Sequence, residues 1–279
     1  MPERHYTAIV RTVASELSSA AAGLAQAGSD SPRLDAELLL GRVVGLDRAG
    51  LVLQPRRELS YAEVGCFWDL LERRRAREPV AYILGCKGFR SIELEVDARV
   101  LIPRPETELL VEAALSLPVG ARVVDVGTGS GAVALALAHE RPDLRLRGLD
   151  VSADAVAVAR GNGARLGLGV DFAVADLLDG DAYDVVLANL PYVTDAEREA
   201  LAPEITRYEP ELALLGGPDG LALIRRLVAG LGEGVHFAAL EIGPGQAAAV
   251  EALLGGAGFG SLERRPDLAG HERVVVGRR

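Results

Sequence analysis

Val123-Val124-Asp125-Val126-Gly127-Thr128-Gly129-Ser130-Gly131-Ala132-Val133-Ala134-Leu135 is the stretch that decides the fold. Val123–Val126 is short and largely β-branched, as a buried strand requires. Three glycines within five residues then allow a tight turn and a close backbone approach to a ligand. The apolar run Ala132–Ala138 continues as a helix. Strand, glycine-rich turn and helix in this order open a nucleotide-binding unit. Asp150 follows 19 residues after Gly131, at the end of the next strand. A carboxylate there can accept hydrogen bonds from both hydroxyls of a ribose.

The pattern extends outward from this turn. Downstream, strands are predicted over Leu144–Leu149, Val170–Val174, Val185–Ala188 and Phe237–Ile242, with helices over Ala153–Leu166, about Leu221–Leu231 and residues 244–256. Phe259–Arg264 and Arg273–Val276 read as a closing antiparallel pair. Such alternation specifies an α/β, doubly wound parallel sheet. Upstream, residues 1–78 read as a small helical domain. Val10, Val13, Leu17, Ala21 and Leu24 recur at helical spacing, and Gly28 ends the run. Pro32 opens a second helix with Leu34, Leu38 and Leu39 on one face. Ser60 and Glu63 form a capping box before Val64, Phe67 and Leu71. Phe67 and Trp68 read as core. Arg73, Arg74, Arg75 and Arg77 read as a charge complement to the helix dipole, with partner binding as the alternative. Residues 79–102 read as a β-hairpin linker. Ile92, Leu94 and Val96 alternate with acids, and Val80–Leu84 is expected to pair with them across Gly85–Gly88. Pro103-Arg104-Pro105 breaks the chain before Glu106-Thr107-Glu108 opens a helix, so a third segment covers residues 103–279.

Composition narrows the function classes. Of 279 residues, 49% are hydrophobic and 25% charged, enough for a buried core. Cys66 and Cys86 are the only cysteines, which excludes a disulfide scaffold or zinc ribbon. The four histidines show no metal-ligand spacing, so no metal is expected. Glu3, Arg4, Arg11 and Glu16 interrupt the start, and no apolar run reaches about 18 residues. The expectation is a cytoplasmic protein without a membrane partner. Net charge is −10, but residues 1–90 hold 13 basic and 11 acidic side chains, and residues 91–279 hold 17 and 29. The acidic C-terminal part argues against direct nucleic-acid binding. Lys87 is the only lysine against 29 arginines, which reflects biased composition.

The glycine-rich loop by itself admits two ligands. Gly127-x-Gly129-x-x-Ala132 satisfies a loose dinucleotide fingerprint, and S-adenosylmethionine enzymes place a glycine loop and an acid in the same positions. Asp125 and Asp176 read either as turn braces or as ligand contacts, Asp176 falling where methyltransferases recognise adenine. Asn189-Leu190-Pro191-Tyr192 breaks the tie. It follows the strand Val185–Ala188, and ligands of open parallel sheets bind beyond the carboxyl ends of strands. The tetrapeptide resembles the Asn/Asp-Pro-Pro-Tyr motif of methyltransferases that act on planar amino groups. A delocalised amide nitrogen is a poor nucleophile. The Asn189 side-chain oxygen and the Leu190 carbonyl can accept its two N–H groups, orient it and favour developing positive charge. Tyr192 is expected to stack on the flat group near the sulfonium. Because the second acceptor is a backbone carbonyl, Leu190 is compatible with the chemistry. No general base is required.

Over nearly its whole length the sequence resembles the release factor glutamine methyltransferases, the HemK/PrmC family. Leu34-Asp35-Ala36-Glu37-Leu38-Leu39, Glu78–Gly85, Leu101–Glu108, Tyr208-Glu209-Pro210, Gly217–Leu221 and Asp267–Arg273 carry the resemblance. It implies a Rossmann-like methyltransferase domain behind a helical substrate-recognition domain. It implies methyl transfer from S-adenosyl-L-methionine, leaving S-adenosyl-L-homocysteine, to the glutamine amide of the Gly-Gly-Gln loop in peptide chain release factors. Carried over by position, Gly127, Thr128, Gly129, Ser130, Gly131 and Asp150 bind the cofactor, with Asp176, Leu177 and Asn189 beside it. Asn189, Leu190, Pro191 and Tyr192 hold the glutamine. Two other readings are an adenine-N6 methyltransferase on RNA or DNA, and a non-catalytic adaptor that binds S-adenosylmethionine.

Overall fold

A computed structural model describes residues 11–279. Val10 and the charged start at Glu3 and Arg4 lie outside the described residues. The described residues divide into two compact units, with the boundary between Leu84 and Gly85.

The first unit is helical: α1 (Val13–Gln26), α2 (Pro32–Val44), α3 (Arg48–Leu53), α4 (Tyr61–Arg75) and α5 (Val80–Leu84). Ser60 and Glu63 form the expected capping box at α4. Leu17, Leu24, Leu39, Leu40, Phe67 and Leu71 build the core. Two expectations change here. On α2, Leu34 and Leu38 are exposed, whereas Asp35 and Glu37 are buried. Asp35 is buried because it is fully partnered. It accepts from the Ser29 and Ser31 hydroxyls at 2.7 and 2.9 Å and from Arg74 Nε at 2.7 Å. The arginine cluster therefore does more than answer a helix dipole. Arg74 pairs with Asp35, Arg73 with Glu78 and Arg75 with Glu72. Trp68 packs against the core while its Nε1 donates to Glu16 at 2.8 Å. The second change is Val80–Leu84, which is helix α5 and not a strand. The Pro79 carbonyl accepts from Tyr82 and Ile83, and Ile83 fills this unit's core.

The hairpin instead joins β1 (Cys86–Phe89) to β2 (Ile92–Glu95) and belongs to the second unit. Asn162, fully buried, fixes it there. Its Oδ1 accepts from Glu95 N at 2.7 Å, and its Nδ2 donates to the carbonyls of Glu95 and Ser130. A 3₁₀ turn, Pro105–Thr107, leads into α6 (Glu108–Ala114). Then follow β3 (Arg122–Val126), α7 (Ala132–Glu140), β4 (Arg145–Asp150), α8 (Ala153–Leu166), β5 (Asp171–Val174) and β6 (Val185–Ala188). The chain closes with α9 (Pro203–Tyr208), α10 (Ala222–Ala229), β7 (Phe237–Glu241), α11 (Ala247–Gly256), β8 (Ser261–Pro266) and β9 (Glu272–Arg278).

The sheet order is β5-β4-β3-β6-β7-β9-β8. The first five strands are parallel, and β9 inserts antiparallel between β7 and β8, as the closing pair implied. Register aligns Val126 with Leu149 and with Ala188, and Ala188 with Leu240. Gly127, Asp150, Asn189 and Glu241 therefore come off one edge of the sheet together. Reversal of strand order beside β3 opens a crevice at that edge. No helix among the described residues is long and apolar enough to cross a membrane.

Candidate active site

The loop after β3 is held from beneath. Asp125 is buried and accepts from the Thr128 hydroxyl at 2.7 Å and from Ala134 N at 3.3 Å. Burial pushes its carboxyl up to about 6. Asp125 is thus a brace for the turn. Thr128 and Ser130 are buried with it, and Gly131 packs against Leu135 and Phe172. Only Gly127 and Gly129 of the five loop residues line the cleft. Gly127 has φ of 74°, and a Cβ there would stand 3.1 Å from Leu190 Cδ2 and 3.3 Å from the Asn189 carbonyl oxygen. This glycine lets the cofactor loop and the loop after β6 touch.

Asp150 sits at the end of β4. Its Oδ2 accepts from Gly129 N and its Oδ1 from Ser152 N, both at 2.9 Å. Burial raises its carboxyl above the ordinary value. Each oxygen keeps a lone pair for a further donor, so the group fits a ribose diol. The cleft has a volume of about 350 Å³, within the range of small-molecule sites. Its walls are apolar at Leu177, Leu223 and Leu190, which suits an adenine ring. Leu177 holds a φ of 67°, left-handed backbone at a non-glycine residue, a conformation that costs about 1–3 kcal/mol and clusters at functional sites. Asp176, two residues beyond β5, also lines the cleft, and its carboxylate pairs with Arg226 Nη2 at 2.8 Å.

Asn189, Leu190 and Pro191 line the same cleft. Asn189 Nδ2 donates to Thr107 Oγ1 at 2.9 Å. Leu190 contributes more than its carbonyl. Its side chain is buried in the core beside Val126 and under Gly127. Tyr192 is placed differently from the sequence expectation. It lines a neighbouring cavity of about 510 Å³ with Gln246 and Gly243, not the cleft. Gln246 Nε2 donates to the Tyr192 carbonyl at 3.2 Å. Burial pushes the phenol up to about 12. The Gly217–Leu221 stretch packs on this turn, since a Cβ at Gly220 would strike the Tyr192 carbonyl oxygen.

Sequence reasoning missed Thr107, Glu241 and Arg226. Glu241 left one signal, a lone acid closing the otherwise apolar strand Phe237–Glu241. It is 1% exposed, its Oε2 has no partner, and burial pushes it up to about 7. Arg104, three residues before Thr107, pairs with buried Glu209 at 2.6 Å. That pair ties the Pro-Arg-Pro-Glu-Thr-Glu segment to the Tyr-Glu-Pro segment.

Comparison with known proteins places this geometry. Residues 17–85 match the PrmC N-terminal domain model, and residues 105–211 match the methyltransferase small domain model. A release factor glutamine methyltransferase from Caulobacter vibrioides is 42% identical over 266 residues, spanning 91% of this chain and 92% of that protein. The chain belongs to the release factor glutamine methyltransferase family. A second relative of that name, from Deinococcus radiodurans, is 40% identical across 94% of this chain and 97% of its own length. A third, from Pseudomonas aeruginosa, is 43% identical across 89% and 93%. Among solved structures, the hMettl16 catalytic domain in complex with a MAT2A 3′UTR hairpin superposes with a TM-score of 0.59 at 16% identity, covering 71% of this chain and 81% of that one. The human METTL16 N-terminal domain in complex with SAH gives 0.51 at 14%, covering 80% and 85%. At these identities the likeness establishes the methyltransferase fold of this family member's second unit and nothing about its substrate.

Proposed function

We propose that this methyltransferase transfers a methyl group from S-adenosylmethionine to the side-chain nitrogen N5 of the glutamine in the Gly-Gly-Gln loop of peptide chain release factors, in the cytoplasm. The names of its relatives support the substrate. One structural observation carries the chemistry: Asn189, Leu190 and Pro191 line the same cleft as Gly127, Gly129 and Asp150. Asp150 would hold the cofactor ribose, with Leu177 and Leu223 against the adenine. When bound, S-adenosylmethionine supplies a methyl group activated by its positively charged sulfur.

The chain's own residues act on the acceptor. Asn189 Oδ1 and the Leu190 carbonyl take the two N–H groups of the glutamine amide. Two fixed acceptors turn the nitrogen lone pair toward the cleft and favour the positive charge that develops there. Pro191 restricts the backbone of Leu190 and so stiffens the second acceptor. Once its lone pair is used, the nitrogen releases a proton to water, and no general base is needed.

The first unit serves as a recognition surface for the release factor. Leu53, at the end of α3, is exposed. Leu53→Asp should raise KM for an intact release factor and leave kcat unchanged. The central experiment supplies labelled cofactor with release factor, ribosomal RNA and duplex DNA in parallel. Label is expected on the release factor glutamine, located by peptide mass spectrometry. Label on RNA adenine instead would overturn the assignment.

A further inference from the structure

Pro191 and Tyr192 are neighbours in the chain, yet they line different spaces. Pro191 lines the cleft with Gly127 and Asp150, whereas Tyr192 lines the second cavity, of about 510 Å³. The acceptor motif is therefore the partition between the two. The cofactor and the amide that receives the methyl group account for the walls of the cleft. The second cavity takes no part in holding either.

This cavity is built before anything enters it. Gln246, at the N-cap of α11, accepts from Gly243 N at 2.9 Å through Oε1 and donates from Nε2 to the Tyr192 carbonyl at 3.2 Å. One side chain thus ties the chain after β7 to the chain after β6. Gly243 also stands against the Tyr192 ring, since a Cβ there would come within 3.0 Å of Cδ2. Another wall is a capped turn. Glu197 Oε2 accepts from Thr194 N at 3.0 Å and from the Thr194 hydroxyl at 2.8 Å. The turn leads into the 3₁₀ segment Arg198–Ala200, and Ala200 and Leu201 line the cavity.

These walls define the occupant. The volume falls in the range of about 300–1,000 Å³ that takes a molecular fragment and not only water. Val193, Leu201 and Leu221 offer aliphatic surface. Glu197 and Asp219 line it too, so the phosphates of a nucleic acid would meet two carboxylates. A neutral stretch of polypeptide meets no such repulsion. In a Gly-Gly-Gln loop the two residues before the glutamine have no side chain. Only the residue after it can fill a cavity beside the acceptor point.

We propose that the second cavity receives the residue that follows the methylated glutamine of the release factor. The proposal rests on the glutamine reading given above and adds a specificity site to it. The cleft meets a flat amide that every glutamine offers. A second hold one residue further along the same chain fixes the direction from which that amide approaches. Tyr192 then serves as the wall between the amide and its neighbour.

The test measures methylation of intact release factor by the full chain carrying Ala249→Phe, on α11, or Ala200→Phe, on the 3₁₀ turn. Both alanines line the cavity and are exposed, so a larger side chain takes up its space without entering the core. Each variant should lower kcat/KM for the release factor at least about tenfold, while calorimetry finds the cofactor Kd within about threefold. A release factor with glycine in place of the residue after the glutamine separates a filled cavity from a damaged enzyme. On that substrate both variants should come within about threefold of the wild-type enzyme, because the side chain they exclude is gone. Unchanged kcat/KM on the natural release factor in both variants would overturn the proposal. So would an equal loss on the natural and the glycine substrates. Failure of the glutamine reading looks different: the wild-type enzyme would label RNA adenine and leave the release factor unlabelled, and the proposal would fall with it.

Discussion

Two buried carboxylates, one in each unit, differ in what surrounds them. Asp35 on α2 is 5% exposed and meets two hydroxyls and a guanidinium. Glu241 at the end of β7 is 1% exposed and keeps one oxygen without a partner. Charge buried in apolar surroundings is expensive unless matched. Asp35 is matched and serves as scaffold, tying α2 to α4. Glu241 is incompletely matched, and it ends the strand beside the one that leads into Asn189. The contrast separates a carboxylate matched for the fold from one left incompletely matched beside the acceptor strand.

The largest expected effect lies on the scaffold side. Asp35→Ala removes one partner of a buried ion pair and the acceptor of two hydroxyls, and should cost about 3–5 kcal/mol. Chemical denaturation measures it, and Asp35→Leu combined with Arg74→Met should recover most of the loss. An unchanged midpoint in Asp35→Ala would break the comparison. Asn189→Ala belongs to the other side. It should lower kcat about 10²–10³-fold while melting temperature and cofactor affinity stay near wild type. A comparable loss of stability would move Asn189 to the scaffold class.

Asp150→Ala should weaken cofactor binding by about 1.5–3 kcal/mol, roughly ten- to a hundredfold. Unchanged affinity in calorimetry would reject the ribose assignment. The smallest effect is a pH slope. The Glu241 carboxyl is held at about 7 in the fold, against an ordinary 4.5. Between those values the folded chain keeps a proton that the unfolded chain has released. Stability from this group is thus full below the lower value and lost as pH rises through the upper one. Glu241→Gln does not titrate. Its stability relative to wild type should therefore climb between pH 5 and pH 8, by on the order of 1–3 kcal/mol. Parallel melting curves at both pH values would place the Glu241 charge outside the buried site.

The sequence by itself determined the second unit's sheet and the identity of its loops. Val123–Val126, Ala153–Leu166 and Val185–Ala188 fall where periodicity put them, to within a residue. Strand and helix periods are local properties of the chain, and glycine spacing reports local backbone need. Tertiary structure decided everything that depends on a distant partner. Leu34 and Leu38 look like a core face until Arg74, on another helix, draws Asp35 inward. Val80–Leu84 alternates no less plausibly as a strand, but its unit's core takes Ile83 as part of a helix. Tyr192 belongs to a motif legible from four letters, yet the backbone of the loop at Gly220 sets which cavity it lines. Thr107 and Asn189 lie 82 residues apart. Their hydrogen bond has no local pattern to announce it, because only the tertiary fold brings the turn before α6 to the end of β6.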